Sequence, residues 1–169
     1  GIKVLPVQAD VSAGQDNEAV VQNVIDKAIE EFGRIDAVVN NAQASASGVT
    51  IADHTMDQFN LAIYSGLYAT YLYMQKAYPH LKETKGSVVN FASGAGLFGN
   101  YGQCSYAAAK EGIRGMSRVA ATEWGPDGIN CNCICPLVMT DKLAQWGKEN
   151  PEMFQKNLDD IPLGRYGDA

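Results

Sequence analysis

The sequence predicts an α/β protein: a doubly wound parallel sheet in three αβα layers. Two observations predict it. Short, nearly continuous apolar runs such as DAVVN and SVVNF end at Asp, Asn, Ser or Pro, as parallel strands buried on both faces do. Between them lie segments whose apolar residues recur at helical period, and strand-like and helix-like stretches alternate along the chain.

The elements follow in order. IKVLPVQADV (residues 2–11) is an apolar run ending at an acid and reads as a strand. Residues 16–33 carry apolar side chains at 20, 21, 24, 25, 28, 29 and 32, a helix closed by Gly33 just past its end. IDAVVNNA (35–42) is a β-branched strand running into Asn-Asn. Residues 55–82 form a long helix, apolar on nearly all sides. GSVVNFAS (86–93) is a strand followed by glycine-rich GAGLFGNYG. SYAAAKEGIRGMSRVAATEWG (105–125) is a helix ended by Gly125 and Pro126, and GINCNCICP (128–136) is a strand that stops at proline.

The 169 residues, 46% hydrophobic, suffice for one domain spanning 1–169. The net charge of −6 is scattered, with no basic patch of the kind a nucleic-acid surface needs. No apolar run approaches the ~18 residues of a membrane span, and the first residues make no signal peptide. The reading is a cytoplasmic protein with neither nucleic-acid nor membrane partners. CNCIC (131–135) puts three cysteines on one face of a strand, without the paired spacing or histidines of a metal site. No metal is expected; the thiols read as small apolar residues.

In doubly wound sheets, ligands bind beyond the carboxyl ends of the strands. Asp10, Asn40-Asn41-Ala42, Ser93 and the stretch from Pro136 to Thr140 all fall at such ends. Past Ser93, Tyr106 and Lys110 sit four apart on one helix face. A tyrosine serves as general acid or base near neutrality when its pKa of ~10 is lowered, and a neighbouring ammonium lowers it by favouring the phenolate. Ser93 can hold the reacting oxygen. Serine, tyrosine and lysine together suit proton transfer at a carbonyl or alcohol while a cofactor moves hydride.

Asp10-Val11, NNAQ (40–43), VVNFASGAG (88–96), YAAAK (106–110), GINCNCICP (128–136) and IPLGRYGD (161–168) stand in the order and spacing of the short-chain dehydrogenases/reductases, which the chain resembles from end to end. The resemblance implies a Rossmann-like sheet and a catalytic trio of Ser93, Tyr106 and Lys110. It implies cofactor contacts from Asp10, Val11, Asn41, Ala42, Tyr106 and Lys110, with Met139 and Thr140 past the fourth strand. It also implies a homotetramer built from dimers, packed through helices 55–82 and 105–124. Three departures stand out: Gln43 replaces the glycine of NNAG, Leu137 follows Pro136, with one residue fewer before Thr140, and Gly66 falls where the family carries a fourth catalytic residue, an asparagine. Open space beside Gly66, facing Lys110, is expected.

NNAQASASG, IYSGLYATY, FASGAGLFGN, GQCSYAAAKEGIRG and SRVAATEWG resemble the bacterial 12α-hydroxysteroid dehydrogenases that act on bile acids. That likeness implies NADP as cofactor and a hydroxy- or keto-steroid substrate. Ser93 and Tyr106 would hold its oxygen, and Leu97, Phe98, Trp146 and Met153 would supply an apolar wall. The family's TGxxxGxG phosphate loop, first two βα units and last strand are not in the sequence, which therefore reads as part of a longer chain. The determinant that separates NAD from NADP follows the second strand, so NAD stays open. Two other readings are a 3-oxoacyl carrier-protein reductase or other ketoreductase, and a truncated, non-catalytic homologue that serves only oligomerisation.

Overall fold

A computed structural model describes residues 1–12, 14 and 16–168. The chain folds as two compact units, Gly1–Cys135 and Pro136–Ala169. In the first, parallel strands β1 (Ala37–Asn40), β2 (Ser87–Phe91) and β3 (Asn130–Ile134) pair in that order. Their register sets Val38 opposite Val88 and Val88 opposite Cys131. Parallel neighbours require crossovers, and helices supply them. Helix α1 (Asn17–Phe32) precedes β1. α2 (Met56–Ala62), a π turn (Ile63–Tyr68) and α3 (Ala69–Thr84) join β1 to β2. After β2 come α4 (Gly94–Phe98) and α5 (Cys104–Trp124), which leads to β3. Crossovers of one hand that advance in one direction place their helices on one face. Val21 and Ile25 of α1, Met74 and Leu81 of α3 and Ala120 of α5 accordingly share one core with Val88. This is the predicted parallel α/β sheet with helical crossovers, its helices on one face while Val39 and Ile134 stay exposed, and it sets the carboxyl ends of β1 and β2 side by side.

A polar chain runs through that core. Asn40 Nδ2 donates to Asn90 Oδ1 at 2.8 Å, Asn90 Nδ2 donates to Ser117 Oγ at 2.8 Å, and Ser117 Oγ donates to the Ile113 carbonyl at 2.7 Å. Satisfied in this way, the buried Asn90 ties β2 to α5 and the half-buried Asn40 ties β1 to β2.

Two expectations need correction. Residues 2–11 form no strand: Ile2 is 94% and Val4 76% exposed, and no ladder reaches them. An extended segment with no strand beside it leaves its backbone groups to water. The helix expected over 55–82 begins at Thr55 in a capping box, with Gln58 N–H on Thr55 Oγ1 and Thr55 N–H on Gln58 Oε1. It is not a regular α-helix, because the π turn interrupts it at Ile63–Tyr68. Gly33 closes α1 as predicted, at φ 74°.

The second unit holds two helices the sequence reading did not assign, α6 (Asp141–Glu149) and α7 (Pro151–Asp159). Thr140 caps α6 through its Oγ1, which accepts the Leu143 N–H at 3.2 Å. Met139 N–H donates to the Gly167 carbonyl at 2.8 Å, and the rings of Phe154 and Tyr166 lie 5.5 Å apart.

Candidate active site

The carboxyl end of β1 opens into a cavity of about 190 Å³ lined by Val11, Asn40, Asn41, Ala42, Thr70 and Tyr73, among others. Three of the predicted cofactor residues, Val11, Asn41 and Ala42, thus meet at one place. Asp10 adjoins them. Ser12 donates to its Oδ1 from Oγ at 2.6 Å and from its N–H at 2.9 Å, which holds the carboxyl below the ordinary carboxylate value. The segment is anchored by Asn17, which sequence reasoning missed. Its buried Nδ2 donates to the Val11 carbonyl at 2.6 Å and the Tyr64 carbonyl at 3.0 Å, using both N–H bonds.

The carboxyl end of β2 is built differently. Tyr106 and Lys110 lie on one face of α5, with Lys110 Nζ 5.5 Å from the Tyr106 ring centroid. Lys110 is only 4% exposed, and its Nζ donates to the Phe91 carbonyl at 2.6 Å. Burial pushes its pKa below the ordinary lysine value, while the thiols of Cys133 and Cys135 pull it the other way. Cys133, on β3, is half-buried, whereas Cys135 lies past the strand and is exposed, so not every thiol of CNCIC is a core residue. Ser93, two residues beyond Phe91, caps α4 by accepting the Ala95 N–H at 3.1 Å.

Arg114, one turn past Lys110 on the same face, donates from Nη2 to the Ser93 carbonyl at 2.7 Å and is braced by Glu111. Sequence reasoning missed it, although YxxxKxxxR continues the i, i+4 row of Tyr106 and Lys110. It also missed His54, whose Nε2 lies 3.0 Å from Oγ of the buried Ser105, the residue before Tyr106. Leu97 and Phe98 on α4 are 58% and 81% exposed. Met139, Thr140, Trp146 and Met153 belong to the second unit, where Thr140 is engaged as the α6 cap.

A family model described as Enoyl-(Acyl carrier protein) reductase matches residues 2–169. The chain belongs to the short-chain dehydrogenase/reductase family. This short-chain dehydrogenase/reductase is 62% identical over 168 residues to the 12alpha-hydroxysteroid dehydrogenase of a Clostridium sp., a match covering 99% of this chain and 65% of that protein. It is 33% identical over 152 residues to the 3-oxoacyl-[acyl-carrier-protein] reductase of Thermotoga maritima, covering 87% of this chain and 59% of that one. Among solved structures it superposes on ElxO with NADP bound with a TM-score of 0.84 and 28% identity, over 96% of this chain and 64% of that one. The chain therefore spans less than two thirds of the length of these relatives.

Within this short-chain dehydrogenase/reductase, two departures from the family pattern prove to be one feature in space. A Cβ on Gly66 would lie 2.5 Å from Cδ of Gln43, 2.7 Å from its Nε2 and 2.9 Å from its Oε1. The open space expected beside Gly66 is therefore a correction: a carboxamide from the loop after β1 fills it. Gln43 Nε2 donates to the Ala62 carbonyl at 3.4 Å, and Oε1 is buried without a protein partner. Next to it, Ser65 Oγ accepts the Ala44 N–H at 3.0 Å and lies 3.0 Å from the Ala44 carbonyl.

Proposed function

We propose that the complete protein is an NADP-dependent oxidoreductase interconverting the 12α-hydroxyl and 12-ketone of bile-acid steroids. The observation that carries this reading is the 62% identity over 168 residues to a 12alpha-hydroxysteroid dehydrogenase. The carrier-protein reductase at 33% is the weaker parallel.

The residues present fit a dinucleotide. The cavity at the end of β1 has a mixed lining, apolar from Val11, Ala42 and Tyr73 and polar from Asn40, Asn41 and Thr70, which suits a heteroaromatic ring with polar edges. Val11, Asn41 and Ala42 would hold that part of the cofactor, with Asp10 beside them and Lys110 serving as the buried cation for the ribose; Met139 and Thr140 are proposed as further cofactor contacts. Bound NADP supplies or takes up the hydride. The chain's own work is the proton. The Tyr106 hydroxyl donates it to the carbonyl oxygen on reduction and removes it from the alcohol on oxidation. Lys110, fixed by the Phe91 carbonyl, keeps a positive charge beside the phenol throughout. The Ser93 hydroxyl holds the substrate oxygen, and its present partner, the Ala95 N–H, marks its orientation. The exposed Leu97 and Phe98 offer apolar surface to a steroid face.

We place the working protein in the cytoplasm as a homotetramer built from dimers. A groove of about 310 Å³ between α3 and α5, lined by Tyr71, Tyr78, Met116, Val119 and Trp124, supports the paired-helix interface. A sedimentation measurement at micromolar concentration that gives a monomer would contradict it.

The deciding assay compares cholate with an acetoacetyl thioester as substrates of the complete protein, each with NADP(H) and NAD(H). Turnover of cholate with NADP is expected. Turnover confined to the thioester would replace the steroid reading with the carrier-protein one, and turnover of neither would remove both.

A further inference from the structure

The loop after β1 and the π turn fit together through a glutamine and a glycine. All three atoms of the Gln43 carboxamide group lie within 2.5–2.9 Å of the point where a side chain on Gly66 would begin, so the amide rests directly on the glycine backbone. One residue along, Ser65 of the same π turn takes hold of the Ala44 backbone, while its Oγ also donates toward the Leu61 carbonyl at 2.5 Å. Two consecutive residues of the loop are thus fixed to one turn of helix, the first by its side chain and the second by its main chain. The two residues before them, Asn41 and Ala42, form a wall of the 190 Å³ cavity. Beyond Ala44, the loop is held farther off: Ser47 Oγ donates to Gln103 at 3.2 Å, the Gly48 N–H donates to the Gly102 carbonyl at 2.8 Å, and Val49 bridges Gln103.

We propose that Gln43 is a positioning residue: its carboxamide, seated on Gly66, fixes Asn41 and Ala42 in the geometry that receives the dinucleotide. The assignment rests on the dehydrogenase reading. It makes Gln43 and Gly66 a matched pair in which one carboxamide fits and two do not. An asparagine at 66 would start its side chain 2.5 Å from the Gln43 carbon and push that carboxamide off its seat. With glycine at 43, the same asparagine would set its own carboxamide in the vacated place.

The test uses the complete protein and three variants, Gln43→Gly, Gly66→Asn and the double variant. The dissociation constant of NADP(H), kcat at saturating cofactor and Tm are measured for each. Losing a preorganised wall should weaken cofactor binding about tenfold in each single variant, with kcat at saturation changed less than about twofold. The double variant should return to within about threefold of the wild-type dissociation constant, since neighbouring groups couple non-additively. Singles with lowered Tm but wild-type affinity would overturn the proposal, because a merely structural wedge would do that. Losses that multiply in the double variant would overturn it as well. If the wild-type protein binds neither NADP nor NAD, the dehydrogenase reading fails and this proposal with it. Tight wild-type binding with unaffected single variants sinks the proposal alone.

Discussion

The loops that leave β1 and β2 are both tied to helices, but with different chemistry. After β2, two cations from one face of α5 grip main-chain carbonyls: Lys110 takes Phe91, and Arg114 takes Ser93. After β1, the ties are neutral, a serine hydroxyl on Ala44 and a glutamine amide in the place of a Gly66 side chain. Hydrogen bonds from charged donors contribute about 1.5–3 kcal/mol each, neutral ones about 0.5–1.5. The stiffer end carries Tyr106, proposed to move the proton, with Ser93 and Lys110, proposed to hold the substrate oxygen and the charge beside the phenol, and there small displacements are costly. The softer end forms a cavity wall that has only to accept a flat ring.

That contrast can be broken at the β2 end with the largest effect. In the complete protein, Tyr106→Phe should lower kcat by roughly 10²–10⁴ while cofactor affinity survives, because only the proton donor is gone. Lys110→Ala should damage both kcat and affinity, since the lysine serves both tasks. Steady-state rates and cofactor titration read the two separately, and near-normal turnover in Tyr106→Phe would remove the mechanism.

Arg114→Met comes next. Releasing the Ser93 carbonyl should cost about tenfold in kcat and about 1.5–3 kcal/mol in stability, with Arg114→Lys recovering part of the rate. An unchanged kcat with lowered stability would leave Arg114 a purely structural tie.

The smallest effect is a pH dependence. Burial depresses the folded-state pKa of Lys110 below its unfolded value of 10.5. Between those two values the unfolded chain binds more protons, so stability should rise with pH through that window and be flat below it. Urea unfolding across alkaline pH should show this slope in the wild type and lose it in Lys110→Met.

Much of this was legible in the sequence because it rests on local pattern. The valine pairs of β1 and β2, the Gly33 stop and the Tyr106–Lys110 spacing depend on neighbours a few residues apart. The gathering of Val11, Asn41 and Ala42 was legible only through the family resemblance, since 30 positions separate Val11 from Asn41. The rest depends on partners distant in the chain. Residues 2–11 have a strand's composition but no neighbouring strand to pair with. The π turn leaves no hydrophobic signature, since it differs from an α-helix by one residue. Gln43 and Gly66 were each visible as departures, but 23 positions separate them, and only the fold shows that one occupies the space of the other. Arg114 could have been found by extending the i, i+4 row by one more turn.

The π turn also leaves the phase of the long helix undisturbed. A wide turn of this kind amounts to one residue inserted into a regular helix. Deleting one residue between Ile63 and Tyr68 would restore α-helical winding without shortening any strand. The wide turn absorbs that residue, so α2 and α3 run on in the phase of one continuous helix, and Met74, Ala77 and Leu81 would keep their places in the core. What would change is local: Ser65 and Gly66, which meet Ala44 and Gln43, lie inside the wide turn, and their present contacts depend on its extra residue. The turn is a washer let into the helix: it presents two residues to the loop after β1 and leaves the two halves in step.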